Sequence, residues 1–266
     1  MAHVGYQRHQ RTDLRTPEDL KTPKRNRFFH GKLLDVYHLE LEQEYFNSKR
    51  WLLNRLVTGP GTVCGLAVEL TNDKRGVVVT PGLAIDRCGR EVIVPRPSEP
   101  QPLPELPPYE ENTPRQEYEV RYQDRRERHY YCPVEYAHVL LCYHECEGDP
   151  VPALAEDCGT DVVCAAGSIR EQYKLVVREG YAPERQAQFP DVIEGGRINY
   201  AALVDYVIRP CRALPADCCL PLADVRLRDT GRGWEPEIDH SRRPIVYTNR
   251  VLFELILSLM REGEES

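Results

Sequence analysis

The chain has 266 residues, a hydrophobic fraction of 41%, 22 prolines against 17 glycines, and a net charge of −7. That length allows one large domain or two ordinary ones, and the composition is far from that of a disordered chain. An acidic chain is a poor default binder of nucleic acid, and no run of 18 apolar residues is present to insert into a membrane as a helix. The start MAHVGYQRHQRTDL is polar and basic, without the apolar core of a secretory signal, so export by that route is not expected. Under reducing conditions, ten cysteines suggest metal ligands or buried thiols rather than disulfides.

Residues 1–33 carry eight Lys or Arg against three Asp or Glu, a local charge of +5 that leaves −12 for the rest. With Pro17, Pro23 and few large apolar residues, the segment reads as a basic extended arm. It is either a loose tail or an arm that docks on an acidic neighbouring subunit. The pair Phe28-Phe29 is expected to anchor it to the body.

Residues 34–57 read as a helix. Asp35 is a suitable N-cap, Leu34 and Leu39 are placed as a hydrophobic staple, and Gly59-Pro60 is a stop signal. Leu39, Phe46 and Leu53 recur every seven residues, beside a second stripe of Leu41, Tyr45, Leu52 and Leu56. That apolar surface is wider than a monomeric surface helix needs. It is expected to pack either on the following sheet or on copies of itself.

Residues 61–95 switch to period two and to β-branched residues. Strands are expected over 62–70, 77–80, 83–85 and 91–94, with 86–89 as a tight hairpin loop. Helix and meander together, residues 34–95, form one α+β unit. Eight prolines between 95 and 114 then exclude regular structure, so 96–115 reads as a proline-rich strap.

Residues 116–266 read as a β-rich, loop-rich second part. Residues 116–131 form an exposed strand or helix; 138–146 and 169–178 are strands around an irregular loop at 147–167. A short helix at 200–208 and a strand within 218–227 follow. Residues 234–247 read as a loop that includes Arg242-Arg243. A helix from 248 to about 260 closes the chain, with Val251, Leu252, Leu255, Ile256 and Leu259 on its buried side.

No nucleotide-binding, zinc-protease or serine-hydrolase signature is present, and the acidic pair Glu110-Glu111 lies in the strap as solvated surface. His30 and His38 read as ordinary structural histidines. The cysteines are the one constellation with possible chemistry. Cys142, His144 and Cys146 share a strand face, and Cys158 and Cys164 follow in the loop. Zinc takes four N or S ligands at tetrahedral angles, so Cys142, Cys146, Cys158 and Cys164 form a candidate structural zinc site. The spacing is not that of a standard zinc ribbon. Cys211, Cys218 and Cys219 are alternative ligands, and free thiols or disulfides are the competing readings. Cys64 and Cys88 are assigned to structure, with a bridge between them as one option.

The run RNRFFHGKLLDVYHLELEQEYFNSKRWLLNRLVTGPGTVCGLAV, followed by VVVTPGLAIDRCGREVIVP, carries a resemblance. It resembles uncharacterised proteins encoded with phage-tail-like contractile injection systems and, more distantly, a phage baseplate protein family. The shared pattern falls on residues 29–34, 42–55, 61–68 and 80–92. Parts of the later chain, including RRPIVYTNRVLFELI, share it less sharply. The resemblance implies a structural or assembly component of a tail-like particle, not an enzyme. It implies a homo-oligomer, with a trimer favoured, whose partners are other particle subunits, without nucleic acid or membrane insertion. It also implies assembly in the cytoplasm, before any release or membrane docking of the particle. Phe28, Phe29, Leu39, Phe46 and Leu53 are the expected interface residues. Residues 82–86 and 89–91 are expected to shape a hairpin rather than a site. The competing reading is a zinc-binding adaptor or metal-dependent enzyme built on the cysteine cluster. A carbohydrate-binding surface, resting on exposed Tyr and Trp, is a third.

Overall fold

The computed structural model describes residues 22–106, 116–122, 125–131, 134–153, 163–182, 192–194, 197–211, 213–230 and 233–264. The fold is mixed α+β with most elements strands. Among the described residues the chain divides into two units. One holds residues 22–50 and 192–217, the other 51–182 and 218–264.

The first unit contains most of helix α1 (Val36–Leu53), the small β11–β12 ladder (Ile193–Glu194 and Arg197–Ile198) and helix α2 (Tyr200–Val207). Asp35 caps α1 as expected: its Oδ1 accepts from the His38 backbone N–H at 3.1 Å. That bond, with the His38 side chain, holds the Asp35 carboxyl below its usual range. Asn199 caps α2 in the same way, accepting from the Ala202 N–H at 3.1 Å. Residues 24–32 are tied down by polar contacts. Asn26 N–H donates to Glu42 at 3.3 Å, and Lys24 donates to the Tyr37 hydroxyl at 3.2 Å. Phe28 and Phe29 are exposed and do not anchor the segment.

In the second unit, α1 ends in a π turn (Asn54–Thr58) and stops at Gly59, whose φ of +83° suits glycine. Strand β1 (Gly61–Gly65) pairs with β4 (Gly82–Ile85), which pairs with β5 (Glu91–Val94). A second small sheet joins β2 (Val68–Leu70), β3 (Gly76–Val79) and β6 (Gln101–Pro102). The single strand expected over 62–70 is therefore two. The break falls at Gly65 and Leu66, both at positive φ. A Cβ on Gly65 would collide with the Pro81 carbonyl, so glycine allows the close crossing, and Leu66 is driven fully into the core. The strap also carries a short strand: β6 lies on the outer edge of β3, where a proline disturbs no further ladder.

The largest sheet has the order β10-β9-β13-β14, all antiparallel. Its strands are β9 (Val134–Ala153), β10 (Val163–Glu179), β13 (Leu220–Asp229) and β14 (Trp234–Asp239). The irregular loop expected at 147–167 is mostly replaced by the outward extension of β9 and β10, which stay in register from Ala137–Glu179 to Ala153–Val163. Residues 234–239, expected as loop, are β14. The expectation at 116–131 resolves as a hairpin of β7 (Gln116–Tyr122) and β8 (Arg125–Tyr131).

The core joins the small sheets to the large one. Leu66, Val77, Val79, Val139, Leu141 and Leu220 are all fully shielded. Each such side chain contributes about 1.5–3 kcal/mol on burial. Arg243 ties the closing segment to this core, with Nε donating to the Leu222 carbonyl at 2.6 Å, and burial pushes its pKa down to about 10.

His240 accepts the Val68 N–H through Nε2 at 3.2 Å, which requires a neutral ring. Burial, then the Arg243 charge, lower its pKa below the ordinary 6.5, against the opposing pull of Asp239. A histidine held neutral by folding gives stability that is complete above about pH 6.5 and is lost as pH falls through the lowered folded value. The thermal midpoint is therefore expected to drop on acidification below pH 6.5, and His240→Gln should flatten that part of the profile. Glu235 acts in a lower window. Lys74 and Arg228 hold its pKa at about 2, so its ion pairs weaken only as pH falls from about 4.5 towards 2. An unchanged midpoint in both proteins between pH 7 and pH 5 would contradict the histidine assignment.

Candidate assembly surface and the cysteine positions

Residues 82–86 and 89–91, expected to shape a hairpin, form β4, the turn after it and the start of β5. Asp86 is completely buried and accepts from the Cys88 and Arg90 backbone N–H groups at 2.9 and 2.8 Å. Its second oxygen accepts from Arg90 Nε at 2.7 Å. Burial pushes the Asp86 carboxyl up, while the Arg90 charge and these hydrogen bonds pull it back. The Arg90 guanidinium lies over the Tyr143 ring of β9, 4.6 Å from its centre. The Tyr143 hydroxyl donates to Glu145 at 2.8 Å, and burial together with Glu145 and Glu171 raises its pKa.

The same hairpin is clasped by the end of α1. Gly89 sits at φ +90° against the Trp51 carbonyl, where a Cβ would collide. Asn54 Nδ2 donates to the Gly89 carbonyl at 3.0 Å and to Glu91 at 2.8 Å. These contacts hold the turn between β4 and β5 to the end of α1 and to β9.

The expected interface residues are all outward. Phe28, Phe29, Leu39, Phe46 and Leu53 are 57% to 61% exposed. No residue of α1 is fully buried. Leu41, Tyr45 and Leu52 of the second stripe are half-buried, whereas Leu39, Phe46 and Leu53 are exposed. One apolar side chain in water is ordinary; a seven-residue repeat of them is not.

The structure disperses the candidate zinc ligands. Cys142 forms a disulfide with Cys219. Cys146 stays on β9 and contacts the Gln172 Oε1 at 3.4 Å. Cys164 is opposite Pro152 while Cys146 is opposite Arg170, six residues further along β10 and so about 20 Å away. Cys158 lies outside the described residues. Among the described residues, no group of three or more His, Cys, Asp or Glu side chains is placed to hold a metal ion. Cys88 bonds Cys218, so the Cys64–Cys88 bridge is not formed, and Cys64 is exposed.

A shallow cleft lies between the β2–β3 turn and β14, lined in part by Lys74, Leu106, Trp234 and Glu235. Within it Lys74 pairs with Glu235, which also pairs with Arg228 of β13. Two features escaped sequence reading. The Asp86–Arg90 pair was hidden in a hairpin motif, although an Asp and an Arg four residues apart across a tight turn are a usable signal. The exposure of the C-terminal helix α3 (Asn249–Glu264) had no sequence signal: Val251, Leu252, Leu255, Ile256 and Leu259, expected on a buried side, are 36% to 70% exposed.

No known protein-family model matches the chain, and comparison with curated proteins gives no match.

Proposed function

We propose that the protein is a structural component of a phage-tail-like contractile injection particle. It acts through protein–protein contacts as a homo-oligomer, with a trimer favoured, and catalyses no reaction. The observation that carries this reading is the outward apolar stripe of α1 with Phe28 and Phe29. Apolar surface of that kind gains about 25 cal/mol per Å² when a partner covers it. The resemblance of residues 29–34, 42–55, 61–68 and 80–92 to tail-like proteins supports the choice of particle.

The test has two parts. Light scattering of the purified chain should show an oligomer, and an affinity-tagged chain should co-purify with sheath, tube or baseplate proteins. Replacing Leu39 and Phe46 together by Ala should abolish capture of those neighbours. Because both side chains are exposed, the fold's own stability should change by only about 0.5 kcal/mol per site. A monomeric chain that captures none of them would overturn the proposal.

A further inference from the structure

Among the described residues, three that are not glycine have a positive φ: Leu66 at 60°, Lys74 at 57° and Asp149 at 50°. Leu66 is driven into the core, and Lys74 lies in the turn between β2 and β3. Asp149 has neither reason. It lies inside β9, and its side chain is 55% exposed. Aspartate takes this backbone form in turns, not within strands. The next residue is Pro150, and a residue before proline is restricted to extended conformations. Asp149 is therefore strained on two counts, and it forms the one Asp–Pro bond in the sequence.

The facing strand holds it in this state. Gly148 pairs with Ser168 and Pro150 with Ala166, which leaves Asp149 opposite Gly167. A Cβ on Gly167 would lie 2.7 Å from the Asp149 carbonyl oxygen, so glycine leaves room for that carbonyl. Ser168 Oγ donates to Asp149 Oδ2 and Arg170 donates to Oδ1, each at 2.5 Å. These two bonds keep the carboxyl below its usual range, so it stays ionised in mild acid. Glu147, two positions earlier on β9, is a further charge nearby.

We propose that Asp149 cuts its own chain at the Asp149–Pro150 bond. One carboxylate oxygen attacks the Asp149 carbonyl carbon and closes a five-membered ring. The bond from that carbon to the Pro150 nitrogen breaks, and the nitrogen leaves with a proton from solvent. Water then opens the cyclic anhydride, which restores the side-chain carboxylate and leaves a second carboxylate as the new chain end. One peptide bond is hydrolysed and one water is consumed. A nucleophile held in the same residue needs no encounter. Proline keeps the reaction on this route, because without an N–H residue 150 cannot attack the side chain to form a cyclic imide. The cut also releases the backbone strain. It is a single event on the chain itself, so no substrate is turned over and the assembly role does not depend on it.

The two fragments stay joined. Cys88 and Cys142 precede the bond, and Cys218 and Cys219 follow it, so both disulfides link one fragment to the other. The part of β9 before Asp149 also keeps its ladders with β10 and β13. The new ends lie in the outward part of the β9–β10 ladder, where Asp149, Pro150 and Val151 are exposed to water.

The purified full chain, kept folded at about pH 5 and at about pH 7.5, would be followed by mass spectrometry and by gels with and without reductant. With reductant it should resolve into residues 1–149 and 150–266, faster at the lower pH. Without reductant it should remain one species of about 30.7 kDa. The folded chain should be cut about tenfold faster than chain unfolded in urea at the same pH, the factor that strain of this kind supplies. Asp149→Asn and Pro150→Ala should each stay whole while the β-sheet circular dichroism is kept. Equal rates in urea would make the bond an ordinary acid-labile one and overturn the proposal. So would a folded wild-type chain that stays whole, or an Asp149→Asn chain cut at the same bond.

Discussion

Asp86→Ala is expected to cost about 3–5 kcal/mol of folding stability, the usual loss when one member of a buried ion pair is removed. The carboxylate is wholly shielded and satisfies two backbone N–H groups as well as Arg90. Its removal leaves a largely shielded guanidinium without its counter-charge and two turn N–H groups without acceptors. The hairpin would then loosen where it meets both α1 and β9, because Asn54 and Tyr143 hold its other sides. Since whole domains are stable by only about 5–15 kcal/mol, this single change uses a large share of the margin. Urea unfolding would measure it, and a loss below about 1 kcal/mol would show that the knot is not what orders the hairpin.

Reduction of the two disulfides should have an effect of similar size. The adjacent residues Cys218 and Cys219 reach in different directions, to Cys88 in the β4–β5 turn and to Cys142 on β9. Their Cα–Cα distances are 5.3 and 4.3 Å, and they close sequence separations of 130 and 77 residues. Loops of that length remove about 4–5 kcal/mol of denatured-state entropy each in the chain-entropy relation, and measured bridges typically give about 2–4. They meet where the chain re-enters the second unit after residue 217. Unfolding with and without reductant, and of Cys88→Ser/Cys218→Ser beside Cys142→Ser/Cys219→Ser, should show two separate losses. Identical midpoints in all four measurements would mean that the bridges do not hold the fold.

How much was legible depended on how local the information was. The N-cap at Asp35, the stop at Gly59, the β4–β5 hairpin and the helix at Tyr200 were all readable, because each is set by residues a few positions apart. The division of residues 62–70 into two strands was not, because it depends on Pro81 passing against Gly65. The outward extension of β9 and β10 was missed for a different reason. Pro150, Pro152 and Gly148 look like loop residues locally, but register with the partner strand keeps them extended. For the candidate site, the apolar stripe was visible as a repeat, while its exposure was not. Periodicity shows that a face is apolar and says nothing about what covers it.

By itself, then, the order of residues determined the α+β class, the caps and turns, and which helix faces are apolar, since all of these follow from backbone preferences and side-chain period. Only the tertiary structure decided which cysteines meet, which carboxylate is buried, and which apolar faces the chain leaves uncovered. Those outcomes depend on groups brought together across 130 and 77 residues, and on burial, which is a property of the packed whole rather than of any segment.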